Sequence, residues 1–165
     1  MILIILAGIC AAVGAYFRAG LFRRVVILRE VRYMLDEITV LIRFKGATVR
    51  EIADSLCADS RLCDLTFIKT VSEKYVDGVS FSRCWETAVS GFSAGGLSVA
   101  DIKLIENIGR NLGTTDIEGQ VASLALYKNE AETAYKTAEA EAAKKAKLYT
   151  SMGILAGTFL LVFLI

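Results

Sequence analysis

The side chains that most often carry acid-base or metal chemistry are absent or badly placed in this sequence. There is no histidine among 165 residues, which removes the commonest general base and metal ligand. The four cysteines, Cys10, Cys57, Cys63 and Cys84, form no Cys-x-x-Cys pair. They read as reduced thiols in or near apolar cores. A Cys57–Cys63 disulfide is the alternative if the domain lies outside the cell. Asp36 and Glu37 are adjacent, so on a helix they face different directions. Asp101 and Glu106 bracket a helix with no histidine or cysteine at ligand spacing. Residues 91–96 hold three glycines, but no Lys-Ser/Thr follows and no strand pattern precedes them, so they read as a turn. The serines are read as lacking a Gly-x-Ser-x-Gly elbow. The net charge of +1 does not mark a nucleic-acid binder. No catalytic, cofactor or metal role is assigned to any residue. A structural protein without a cofactor accounts for these absences more simply than an enzyme does.

The elements that would position any site are helical. Hydrophobic residues make up 55% of the chain, and the excess is concentrated at its two ends, as in proteins with terminal membrane spans. Met1 to Phe17 is apolar throughout, close to the shortest length that spans a bilayer, and Ala7, Ala11 and Ala15 give it a small-residue face. No basic residue precedes it, which argues for a retained span over a cleaved signal peptide. Arg18, Arg23, Arg24, Arg29 and Arg32 follow at once, and Lys144, Lys145 and Lys147 precede a second apolar run, Leu148 to Ile165. Both clusters face the middle of the chain. The positive-inside rule therefore places that middle in the cytoplasm and both termini across the membrane. Arginines near the surface would also attract anionic lipid. The expected organisation is a span over 1–17, a cytoplasmic bundle of about six helices over 18–147, and a span over 148–165.

Within the bundle, Leu21, Leu28, Val31, Leu35, Ile38 and Ile42 recur at helical spacing up to Gly46. Thr48 to Glu51 is a capping-box pattern. A third helix is expected over 61–76, stopped by Gly78, and a fourth over 82–90 carrying Trp85. Ser98 to Asp101 caps a fifth helix through Leu112, and Gly113 sits where a left-handed residue is expected. Thr115 to Glu118 reads as a further capping box. It opens a helix that meets no breaker between Gln120 and Lys147 and is continuous with the terminal span, roughly 75 Å in all at 1.5 Å per residue. One face of that helix narrows from Val121 and Leu124 to Ala131 and Ala138, so its first half is expected to hold the core. Glu132–Lys136 and Glu141–Lys145 are spaced as i,i+4 pairs on a solvated face. Gly153 and Gly157 form a Gly-x-x-x-Gly pair, suited to packing on Met1–Phe17 or to a homo-oligomer.

Several of these residues also carry a resemblance. Gly109, Leu112, Gly113, Asp116 and Gln120 resemble the Gly-x-x-Leu-Gly-x-x-Asp-x-x-x-Gln signature of the stage III sporulation protein AB family of endospore-forming bacteria. Trp85-Glu86 sits where that family has Ala-Trp-Glu, with Cys84 in place of the alanine. Lys147-Leu148-Tyr149 followed by Gly153 and Gly157 is similar to its approach to the last span. The order of elements matches over the whole length. Thr48-Val49 stands where the family usually has Pro-Leu, and Leu41-Ile42 where it often has Glu-Ile.

The resemblance implies a two-span protein of the mother-cell membrane around the forespore. Its cytoplasmic domain would be similar to the platform component of type II secretion and type IV pilus machines. Its partners would be a secretion-type ATPase and sibling channel proteins of the same complex. The contrasting expectation is an exported helical domain with a cleaved leader, anchored by its tail.

Overall fold

The structure, a computed structural model, describes residues 2–164 apart from 77, 93 and 94, with side chains over 22–148 outside those positions and at 151. The described residues form six α-helices and one short 3-10 turn, with no strand among them. They are α1 (Ile2–Lys45), α2 (Val49–Ala58), the 3-10 turn (Ser60–Leu62), α3 (Phe67–Lys74), α4 (Phe81–Ser90), α5 (Val99–Asn111) and α6 (Ile117–Leu164). The all-helical expectation holds. The last helix is continuous through the expected start of the second span, and α1 likewise runs on unbroken from the expected first span. Among the described residues no helix is long and apolar enough to cross a membrane. The expected spans, 1–17 and 148–165, fall almost wholly outside the residues whose side chains are described.

The two long helices pair antiparallel. Arg24 meets Glu141 at 3.1 Å, Arg32 meets Glu132 at 2.5 Å, and Asp36 meets Lys128, so the α6 partner falls in number as the α1 position rises. The seam follows from sequence period. Leu124, Ala131 and Ala138 are buried at steps of seven, then Ala142 after four, the repeat that keeps one stripe of a helix on a partner. The alanines allow close approach, and α1 brings Ile27, Val31, Met34, Leu35, Ile38 and Ile42 into the core that Leu124 and Ala131 share. The alanine half of α6 is thus packed on α1. The charges expected to lie on a solvated face reach across this seam instead. Glu132 bonds Lys136 as its spacing suggests, at 3.3 Å, but also Arg32, whose guanidinium stacks 4.7 Å from the Tyr135 ring centre. Glu141 is taken by Arg24.

The short helices pack on this pair. Thr48 and Glu51 form the reciprocal capping box that starts α2. The expected third helix is corrected. Asp59 accepts from the Arg61 backbone N–H at 2.9 Å and turns the chain into the 3-10 segment, and α3 starts only at Phe67. The Asp64 N–H, which a continuous helix would use internally, donates to Glu30 Oε2 at 3.1 Å. Leu62 and Leu65 are buried by this detour. Tyr75, not Gly78, ends α3. Cys84 is buried, whereas Cys57 and Cys63 are exposed and unlinked, because they fall on the outer side of α2 and in the turn before α3.

Glu30 is a buried carboxylate on α1 beside that turn. Burial, and then the charge of Asp64, push it up to about 7. A carboxyl that holds its proton more tightly folded than unfolded favours the folded state at low pH, and the benefit disappears as pH rises through the folded value. Stability should therefore fall by about 1–3 kcal/mol between pH 5 and 8, since each tenfold gain in proton affinity is worth about 1.4 kcal/mol. Glu30→Gln keeps an acceptor for the Asp64 N–H and should remove that fall. Urea midpoints of both proteins at the two pH values measure it.

Candidate functional site

The signature residues converge on one end of the bundle, around the turn from α5 to α6. Gly113 has φ +75°, as its position after α5 predicts. Its N–H donates to Gln120 Oε1 at 3.0 Å, while Gln120 Nε2 donates to the Thr115 carbonyl at 2.8 Å. One amide side chain therefore clamps the turn from both sides. Asp116 caps α6, its Oδ1 accepting from the Gly119 N–H at 3.2 Å. This corrects the expected box from Thr115 to Glu118: the cap is one residue later, and the position three beyond it is a glycine that cannot reciprocate. A Cβ on Gly113 would also lie 2.7 Å from Val49 of α2.

Gly109 and Trp85 form the second half of the arrangement. A Cβ at Gly109 would lie 2.1 Å from the indole Cγ, so the absence of a side chain there lets α5 rest flat on Trp85. The indole is fully buried, donates Nε1–H to the Ile105 carbonyl at 2.8 Å, and meets Phe67 edge-on at 5.1 Å and Phe81 at 5.6 Å. Leu112 is buried beside them. Trp85, Gly109, Leu112, Gly113, Asp116 and Gln120 thus each have an intramolecular partner and act as the joint between α4, α5 and α6. Gly153 and Gly157 lie outside the residues whose side chains are described.

The opposite end of the bundle is charged. Arg24 Nε donates to Asp101 Oδ2 at 2.8 Å and Nη1 to Glu141 at 3.1 Å, joining α1, α5 and α6 in one node. Asp101 also completes the α5 capping box, accepting from the Ser98 N–H at 2.8 Å. Burial alone would raise its carboxyl, but the hydrogen bonds from Arg24 and Ser98 outweigh that and hold it below its ordinary value. Around this node Arg23, Lys103, Lys144, Lys145 and Lys147 are exposed. So are Phe22, Val99 and Leu148, three of the nine large hydrophobic residues exposed among the described ones. Sequence reasoning found the basic clusters of α1 and α6. It missed that α5 begins at the same level, because only the tertiary Arg24–Asp101 pair brings it there.

Two other groupings hold part of a site's donor or nucleophile set. Glu30, Cys63 and Asp64 place their donor atoms within 4.8 Å of one another, but two of the three are exposed. Three donors are fewer than the four of a structural zinc site and equal in number to the protein ligands of a catalytic one, and no metal is assigned. The expectation that no serine lies in a Gly-x-Ser-x-Gly run is corrected: Gly91 to Gly95 spell those letters of a serine elbow. Such an elbow joins a strand to a helix and works with a histidine. This segment follows α4, and the chain has no histidine.

The family described as Stage III sporulation protein AB matches residues 1–165. No curated protein and no solved structure matches the chain.

Proposed function

Because the chain belongs to the stage III sporulation protein AB family, we propose that it is a non-enzymatic membrane platform of a sporulation-specific secretion or channel complex. In this reading it links a cytoplasmic secretion-type ATPase to sibling channel proteins across the envelope between mother cell and forespore. The supporting observation is the antiparallel pairing of α1 and α6. It sends the start of α1 and the end of α6 out on one side, beyond a basic band, with the short helices packed along the inner stretch of the pair. Basic residues flanking apolar termini favour a cytoplasmic domain held by two spans. Phe44 near the end of α1 and Ile117 at the start of α6 are exposed, where an ATPase in the cytoplasm would reach them.

The test is thiol topology in sporulating cells, using Cys57 and Cys63 as exposed reporters and Cys84 as the buried control. With an impermeant maleimide, Cys57 and Cys63 should be protected in intact cells and label on lysis, and Cys84 should label only after denaturation. The intact mass should include Met1–Phe17. Labelling before lysis, together with a shortened N-terminus, would favour an exported, tail-anchored domain instead.

A further inference from the structure

The membrane reading gives the exposed edge of α5 a partner. Arg24 holds Asp101 and Glu141 at one level of the molecule. At the other end of α5, Asn111 Nδ2 donates to the Tyr127 hydroxyl of α6, so the two helices run antiparallel. Leu148, where the second span is expected to begin, lies seven residues beyond Glu141, about 10 Å along the helix. Val99 precedes Asp101 by two residues, which brings it to about 7 Å from that boundary. The headgroup layer on each side of a bilayer is about 5–8 Å deep. The start of α5 thus stands at headgroup depth.

Its surface suits that depth. Val99 is 71% exposed, Ala100, Gly95 and Gly96 are exposed beside it in the chain, and Lys103 follows one turn along. Arg23, Lys144 and Lys145 are exposed at the same level on the other two helices. The acids at this level are Asp101 and Glu141, both bonded to Arg24, and the exposed Glu139, which accepts from the Tyr135 hydroxyl. An apolar edge within a cationic band fits an anionic lipid surface. We propose that the N-terminal edge of α5, Val99 and Ala100 with Lys103, rests on anionic headgroups as a third membrane contact beside the two termini. The proposal depends on the two-span reading. The contact would stop the bundle from tilting about its two anchors and so fix the direction in which its far end faces.

The full chain carrying Val99→Trp should be reconstituted in phosphatidylcholine vesicles with and without phosphatidylglycerol, each containing a headgroup spin-labelled quencher. The native Trp85 is fully buried and supplies the unquenched background. The variant should lose most of its added emission in vesicles containing phosphatidylglycerol and recover it in high salt, which shortens the reach of charge. Emission no more quenched than the wild type, in a chain that resists alkaline extraction, overturns the α5 contact and leaves the spans standing. A chain stripped from the vesicles by alkali overturns both. Quenching that ignores phosphatidylglycerol and salt overturns the anionic partner. An unquenched emission shift that grows with protein density assigns the edge to a second copy of the chain and overturns the lipid contact.

Discussion

Gly109→Ala should cost about 3–5 kcal/mol, the sum of overpacking a filled core and loosening a buried hydrogen bond. The added methyl would lie 2.1, 2.2 and 2.4 Å from Cγ, Cδ1 and Cδ2 of Trp85. These atoms are the root of the indole, not its flexible tip. The ring cannot retreat without breaking its bond to the Ile105 carbonyl and pressing on Phe67 and Phe81. The loss is a large fraction of the roughly 5–15 kcal/mol that holds an ordinary domain. Urea unfolding followed by circular dichroism measures it. Trp85→Phe, itself destabilising, should recover part of the loss when combined with Gly109→Ala, because the two residues contend for one volume. A Gly109→Ala protein as stable as wild type would mean that α5 does not lie on the indole.

Asp101→Ala should cost about 2–4 kcal/mol, the loss of a charge-assisted hydrogen bond from Arg24 together with the α5 cap. It withdraws the acceptor of Arg24 at 2.8 Å and the Ser98 N–H partner at 2.8 Å together. Glu141 remains available to Arg24, so Asp101→Asn, which keeps part of the cap, should cost less. The pH dependence separates charge from packing. The carboxyl is held below its ordinary value in the fold, so its contribution is present above the unfolded pKa of about 3.9 and is lost as pH falls through the folded one. The stability gap between wild type and Asp101→Asn should therefore narrow in acid. A gap constant from pH 7 to pH 3 would assign the effect to shape alone.

Local rules found most of the helices. The Thr48–Glu51 and Ser98–Asp101 boxes form as their letters suggest, and Gly113 adopts the left-handed conformation expected after α5. What escaped them is non-local. Nothing around residue 64 says that its N–H will go to Glu30, 34 positions earlier, so the break between residues 62 and 67 was invisible. Glu141 and Lys145 have good spacing for a pair, but Arg24 offers Glu141 a better partner from 117 positions away. The signature around Gly109 was legible as a pattern. That it exists to seat an indole could be seen only once α4 and α5 were brought together.

The pairing of the first helix with the last also sets an order of events during synthesis. The apolar stripe of α1 leaves the ribosome early, yet its cover on α6 is made only after the short helices. Arg24 and Glu141 are 117 residues apart, which at roughly 5–20 residues per second is about 6–23 s of translation. For that interval Ile27, Val31, Met34 and Ile38 have only the short helices to cover them. An N-terminal segment captured by lipid would keep this unfinished stripe against a surface and away from other nascent chains. The apolar stripe of α1 thus waits for α6, and the stretch from Leu124 to Ala142 closes the fold.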